Sequence, residues 1–247
     1  MTAYKSTRPA LREHSLPCPH EPQGRRLFFV EVNPLRVLAH LYTQALPRAF
    51  RSYRRYLLFA AMLLATCVIV GYRGFTPSND SLPWIFGNLV NLRDSMTGAS
   101  EFKQMAMLFW NNLKVTLVSI GLGWIFGIIP LVSICLNGVI IGAGAKLMVA
   151  KDALPMPLVV ASFLPHGALE LPAFLAGQIV GLRLGFLIPI VWRGRASRND
   201  LGRAAAEGAI ILGLFCVPLL AIAAVVELKI TPAIIRALAP HLSTLPL

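Results

Sequence analysis

The sequence has 247 residues, of which 56% are hydrophobic and only 14% charged, and its mean hydropathy is +0.65. A soluble domain carries about 25% charged residues, so this composition excludes an ordinary soluble protein and predicts an integral membrane protein. The net charge of +12 is typical of basic residues collected on the cytoplasmic side of a membrane protein, and we predict no nucleic-acid partner.

The first predicted elements are two basic segments at the amino terminus. Residues 1–33 are polar and rich in proline, and we expect them to form a disordered cytoplasmic tail. Residues 34–56 carry apolar side chains at helical spacing, followed by four arginines between Arg48 and Arg55. This pattern predicts an amphipathic juxtamembrane helix on the cytoplasmic surface, held there by anionic lipids.

Five apolar runs follow that are suited to crossing a membrane as helices. They are Leu57–Tyr72, Met105–Phe126, Leu131–Val149, Gly167–Trp192 and Ala209–Val226. We therefore predict an all-α fold, a multi-pass transmembrane helical bundle of about five spans over residues 57–232, with residues 233–247 as a C-terminal tail. A shorter apolar segment, Met156–Leu164, is followed by Pro165 and Gly167. This pattern predicts a re-entrant or broken helix before the span that starts at Gly167. Irregular backbone within a membrane is tolerated where protein buries it.

The distribution of charge predicts the orientation of these spans. Residues 1–56 contain ten Lys and Arg against three Glu, whereas Arg73–Lys103 contains three basic and three acidic residues. Because basic loops stay in the cytoplasm, we expect a cell-membrane protein with the N-terminus cytoplasmic and the C-terminus extracytoplasmic.

Seven polar residues in or beside the predicted spans form the candidate site. They are Asn111, Asn112, Lys114, Asn137, His166, Glu170 and Glu227. A carboxylate at the bilayer centre costs about 2.5–3.5 kcal/mol, so Glu170 is expected to face the protein interior with Lys114 as its counter-charge. His166 lies four residues before Glu170 and shares its helical face. A structural role stays open, because an acidic residue in a first helical turn suits the helix dipole and His166 can cap the break.

Glycines recur four residues apart in the same predicted helices. They are Gly123 and Gly127, Gly138 and Gly142, and Gly177, Gly181 and Gly185. Small residues at this spacing let helix backbones approach closely in lipid, and we predict that these glycines form contacts between helices.

A set of short motifs resembles the stage II sporulation protein M family over roughly residues 48–232. In order they are Asn111-Asn112, Gly127 with Pro130, Asn137-Gly138 with Gly142, Pro165-His166-Gly167 with Glu170, and Glu227 with Thr231-Pro232. The resemblance implies a multi-pass membrane protein. In spore formers the namesake of the family is a membrane anchor for two peptidoglycan-degrading partners, and members also occur in organisms that make no spores.

We interpret the chain first as a non-enzymatic membrane scaffold or anchor that recruits partner proteins, including proteins that remodel the cell envelope. Its expected partners are membrane lipids and other membrane or envelope proteins, and homo-oligomer formation stays open. An alternative is a transporter or channel-like protein with a polar mid-membrane site around His166 and Glu170.

A third hypothesis is an intramembrane metal-dependent hydrolase that uses His166 and Glu170. It is weakened because such sites need about three protein ligands and the sequence has no His-Glu-x-x-His motif. We predict no catalytic residue, no metal and no cofactor.

Overall fold

The structure is a computed structural model that describes residues 33–76, 81–150, 156–234 and 237, without the side chains of residues 81–85, 88, 89, 161, 162, 165 and 166. These residues form helices and contain no strand, which confirms the all-α fold class. The predicted tails at 1–33 and 233–247 lie almost wholly outside the described residues.

The described helices follow one another along the chain as follows. They are α1 (Pro34–His40), α2 (Leu46–Gly74), α3 (Ser81–Met96), α4 (Glu101–Gly121), α5 (Ile128–Ala150), α6 (Met156–Trp192), α7 (Arg198–Ile211) and α8 (Val217–Val225). Short π-helical segments connect α1 to α2 and α7 to α8, and a third, Val226–Ile230, continues α8. No turn therefore separates the predicted juxtamembrane helix from the first span.

Four helices in the described part are long and apolar enough to cross a membrane. They are Pro34–Gly74, Ile128–Ala150, Gly167–Trp192 and Arg198–Ile234, and they contain four of the five predicted spans. The remaining span corresponds to α4, which is less apolar because it carries charged and amide side chains. Its 21 residues nevertheless extend about 31 Å, close to the thickness of a bilayer core.

Helix α6 runs without interruption from Met156 to Trp192, so the prediction of a break at Pro165 and Gly167 is wrong at that position. A proline inside a helix leaves one backbone carbonyl without its usual partner. A complete break in apolar surroundings would instead expose up to about eight backbone groups at two helix ends. The continuous helix is the less costly arrangement.

The chain turns sharply between α4 and α5, close to where the sequence predicts a hairpin. Phe126 and Gly127 have positive φ angles of 50° and 73°, and the Gly127 N–H donates to the Gly123 carbonyl over 2.8 Å. The left-handed conformation favours glycine at position 127. This turn brings the start of α5 back against the end of α4.

Close packing of α2 and α5 forms one side of the bundle. A Cβ atom at Gly138 would lie 2.6 Å from Cβ of Cys67, and one at Gly142 would lie 2.6 Å from the backbone nitrogen of Tyr72. Neither position has room for a larger side chain, so the two helices are in backbone contact.

Two ion pairs between helices lie at opposite ends of the bundle. Lys229 pairs with Glu101 at one end, and Arg183 pairs with Glu207 at the other. Between them, Leu113 of α4, Ala173 of α6 and Leu220 of α8 pack together as a buried apolar layer. This layer marks the middle of the bundle.

Candidate functional site

The candidate site lies where α4 faces α6. The buried face of α4 includes Leu113, Thr116 and Ser119, and this orientation directs Asn112 towards α6. Its Nδ2 donates a hydrogen bond to Oε1 of Glu170. The Thr116 hydroxyl donates to the backbone carbonyl of Asn112 over 3.1 Å. Among the described residues, Glu170 therefore pairs with an uncharged amide, which lies one helical turn from the buried Thr116.

The predicted pairing of Lys114 with Glu170 is wrong. Lys114 is exposed on the outer face of α4, and the ion pairs in the described part of the chain do not include it. Residues two positions apart on a helix do not face the same way, so an α4 that directs Asn112 towards Glu170 directs Lys114 away from it.

A second carboxylate and two further amides surround Glu170. Glu227, in the π-helical continuation of α8, is close enough to Glu170 to act on it electrostatically. Asn111 and Asn137 line the same cavity as Asn112 and Glu170. The structure therefore brings together five of the seven predicted polar residues.

The cavity beside Glu170 has a volume of about 310 Å³. Its polar wall consists of the three amides and the Glu170 carboxylate, and its apolar wall includes Phe86, Phe163 and Phe174. A few convergent polar groups in a mostly apolar cavity of this size are typical of a small-molecule site.

The predicted contribution of His166 lies outside what the structure describes. Its backbone belongs to α6, but its side chain is among those not described, so its pairing with Glu170 stays a prediction. Within the described residues, no group of three or more His, Cys, Asp or Glu side chains is arranged to hold a metal ion.

The remaining predicted glycines lie along the contact between α6 and the α4–α5 hairpin. A Cβ atom at Gly123 would lie 2.6 Å from Cα of Gly181, and one at Gly185 would lie 2.6 Å from Cα of Gly127. A Cβ at Gly177 would lie 3.3 Å from Cβ of Thr116. This seam is tightly closed, in contrast to the cavity near Glu170.

A polar cluster at one end of the bundle was not predicted from the sequence. Arg183 Nη1 lies 2.5 Å from Glu207 Oε2 and 2.7 Å from the Ser52 hydroxyl. The Tyr53 hydroxyl donates to the backbone carbonyl of Ala204 over 2.7 Å. The only sequence signal is an arginine inside an otherwise apolar span, since nothing in the sequence indicates which acid it meets.

Gln178, on α6, is another polar residue that was not predicted from the sequence. Its side chain is fully buried, and no described residue forms a hydrogen bond with its Nε2 or its Oε1. A buried amide without partners destabilises a fold, so this residue is an unusual feature of the bundle.

Comparisons with known proteins agree with the sequence motifs. A family model described as Stage II sporulation protein M matches residues 42–232. The chain is also similar to Uncharacterized protein MJ0793 of Methanocaldococcus jannaschii, with 27% identity over 127 residues, covering 50% of this chain and 68% of that protein. No solved structure matches the chain. The family match and the four apolar helices identify an integral membrane protein.

Proposed function

Since this chain belongs to the stage II sporulation protein M family, we propose that it is a membrane scaffold that holds a partner membrane protein against α4. The observation that carries this proposal is the position of Lys114. This residue directly follows Leu113, which belongs to the apolar layer in the middle of the bundle, and it is exposed. A lysine facing lipid at mid-depth would cost about 2.5–3.5 kcal/mol.

The whole outer face of α4 supports a protein partner. Six exposed residues recur every three or four positions along one side of the helix, and they are Lys103, Ala106, Trp110, Lys114, Leu117 and Gly121. We call this set the α4 outer face. Small residues at positions 106 and 121 permit a close helix contact, and Trp110, which is 56% exposed, supplies a large side chain for packing. Aromatic residues of this kind are enriched at protein interfaces.

The charge of Lys114 on the α4 outer face indicates which kind of group the partner should carry. Lys114 at mid-depth calls for a carboxylate on a facing membrane helix, because charged groups within membranes pair with one another. Two copies of this chain joined through α4 would bring two lysines together. The acidic residue that the structure describes near this depth, Glu170, is half-buried and lines the cavity. The fitting occupant is therefore a different protein whose membrane helix carries an acidic residue.

Site-specific photocrosslinking in native membranes tests this proposal. A photoreactive amino acid at Trp110 or Leu117 should give one discrete crosslinked product. The same group at Val132 or Leu136, which are 47% and 50% exposed on α5, should not give it. Enzymes that remodel the cell envelope are the first candidates to identify in the product, because the family resemblance implies an anchor for such enzymes.

Charge reversal then distinguishes a specific contact from random proximity. Lys114→Glu should abolish the crosslink, Lys114→Arg should retain it, and an acidic-to-lysine change in the identified partner should restore it in Lys114→Glu. An unchanged crosslink in Lys114→Glu, or the same product from Leu136, would contradict the proposal.

We further propose that five helices cross the membrane, with the N-terminus in the cytoplasm. The arrangement is supported by the excess of basic residues in residues 1–56 and by the opposite ends at which the Lys229–Glu101 and Arg183–Glu207 pairs lie. In whole cells, an impermeant thiol reagent should label single cysteines at Ser95 or Ser100 and spare one at Ser197. Labelling at Ser197 from outside would reverse the orientation.

A further inference from the structure

We propose that the cavity between α4, α5 and α6 binds a small organic cation, namely a primary ammonium compound with a short apolar tail. This site is separate from the α4 outer face, and the two proposals can fail independently.

The electrostatics of the cavity favour a cation. Glu170 contributes a carboxylate to the wall, and no residue that lines the cavity in the described part of the chain is Lys or Arg. Glu227 lies close enough to act on Glu170 electrostatically, and Lys114 is directed outward. In apolar surroundings a charge is stable only when it is paired. No Lys or Arg side chain among the described residues pairs with Glu170, and a bound cation would supply such a partner.

The hydrogen-bonding groups of the cavity match a donor with several N–H groups. Among the described residues, only Asn112 donates to Glu170, through Oε1, which leaves Oε2 as an acceptor. Asn137 uses its Nδ2 to donate to the Ser133 carbonyl over 2.8 Å, which leaves its amide oxygen as a second acceptor. An ammonium group has three donors and no acceptor, so it suits this wall.

The amide of Asn111 adds a third acceptor to the same wall. It lines the cavity and has no hydrogen bond with any described residue. The wall thus contains three oxygen acceptors of which at least one is ionisable, a set that a neutral ligand with a single hydroxyl group would not satisfy.

The size and the remaining walls of the cavity point to an organic ligand and not to a bare metal ion. A volume of about 310 Å³ holds a molecule of several carbon atoms. Phe86 and Phe163 lie together beside α5, each 3.7 Å from the position of a Cβ at Gly144. Phenylalanine faces attract organic cations, and aliphatic side chains of α4 and α5 complete a surface for an apolar tail.

Calorimetric titration of the full chain in phosphatidylcholine nanodiscs tests the proposal, with n-hexylammonium as the probe. We expect saturable binding at one site, whereas n-hexanol should give only the partition signal seen with empty nanodiscs. Glu170→Gln should weaken the binding of n-hexylammonium at least about tenfold, because a hydrogen bond to a charged group is lost.

A cavity-filling variant keeps the test decisive if Glu170→Gln does not fold. Among the described residues, a Cβ atom at Gly167 would meet only Leu171 Cδ1, at 4.0 Å, and Gly167 lines the cavity, so Gly167→Leu is the variant chosen to fill it. It should abolish binding while the circular dichroism spectrum and elution volume stay unchanged. Gly144→Ala, which would narrow the cavity beside Phe86 and Phe163, should weaken binding in the same direction.

Several results would overturn the proposal. They are the absence of saturable n-hexylammonium binding to the folded wild type, equal binding of n-hexanol, undiminished binding in folded Gly167→Leu, and displacement of the probe by sodium ions at millimolar concentration. The last result would identify an inorganic cation site in its place. None of these results bears on crosslinking at Trp110, so the scaffold proposal is judged separately.

Discussion

The guanidinium of Arg183 lies between the Glu207 carboxylate and the ring of Tyr53. Its Nη1 is 2.5 Å from Glu207 Oε2, and its central carbon is 4.4 Å from the centre of the Tyr53 ring. The same nitrogen donates to the Ser52 hydroxyl. One side chain of α6 thus contacts both α2 and α7, and its planar shape permits stacking on a ring and hydrogen bonding at the same time.

We therefore predict that Arg183 stabilises this end of the bundle. Arg183→Met should lower the free energy of unfolding by about 1–3 kcal/mol, the range for losing hydrogen bonds to a charged group and leaving its partner unpaired. Thermal unfolding of the purified protein measures the change. Glu207→Leu should be destabilising alone, and the double variant should lose less than the sum of the two single changes.

Arg203 provides the matched control for this prediction. It also pairs with an acid, Asp200, but its side chain is 75% exposed, and exposed pairs contribute little. Arg203→Met should leave the unfolding temperature unchanged. Equal losses in Arg183→Met and Arg203→Met would contradict a special role for the partly buried pair of Arg183 and Glu207.

The sequence predicted the helices well but not their rotation about their own axes. Apolar length was enough to predict the four long apolar helices, and the glycine at 127 was enough to predict the turn between α4 and α5. The side of α4 on which Lys114 lies was predicted wrongly. Hydropathy indicates how deep a residue lies in the membrane, but it does not indicate which side of the helix packs against the other helices. The rotation of α4 is set by buried contacts such as that of Thr116 with Gly177, which depend on the tertiary structure.

The same limit applies to Arg183 and to the continuity of α6. An arginine in an apolar run indicates a charge that needs a partner, but it does not identify that partner. The partner of Arg183 is Glu207, which is 24 positions away on another helix. At Pro165 the local signal for a break is real. The cost of unpaired backbone groups, which a single stretch of sequence does not reveal, decides in favour of a continuous helix.

The second prediction concerns the hydrogen bond between Asn112 and Glu170. Asn112→Leu should destabilise the fold by about 1–3 kcal/mol, because it leaves a half-buried carboxylate without its donor. Adding Glu170→Leu should recover part of this loss in a double-mutant cycle measured by thermal unfolding. By contrast, Lys114→Met combined with Glu170→Leu should be additive. A coupling between Lys114 and Glu170 larger than that between Asn112 and Glu170 would contradict the structure.

The third prediction separates glycines that permit helix contact from glycines that do not. At Gly138 a Cβ would lie 2.6 Å from Cβ of Cys67 and 3.0 Å from the Leu64 carbonyl oxygen. At Gly202, by contrast, a Cβ would have no atom of another described element within 4 Å. Gly138→Ala should therefore cost about 1–3 kcal/mol through overpacking of α2 and α5. Gly202→Ala should raise stability by up to about 1 kcal/mol through helix propensity. Thermal unfolding of the two variants gives opposite shifts if this interpretation is correct, and shifts of the same sign would refute it.

The fourth prediction is that Gln178 lowers the stability of the bundle. Both amide atoms are buried, and neither has a hydrogen-bond partner among the residues that the structure describes. An unsatisfied buried group of this kind costs about 1–3 kcal/mol. Gln178→Leu keeps a similar side-chain volume and removes the polar atoms, so its unfolding temperature should rise. Because Gln178 is not among the residues that line the cavity, binding of n-hexylammonium should not change.

Gln104 is the control for this change, because its amide is satisfied. Its Nε2 donates to the carbonyls of Met96 and Ala99 over 3.2 and 2.9 Å. Gln104→Leu should therefore lower the unfolding temperature, the opposite of Gln178→Leu. If Gln178→Leu instead destabilises the protein as much as Gln104→Leu does, Gln178 is hydrogen-bonded in the membrane, for example through buried water. That outcome would make it a structural polar residue and refute the prediction.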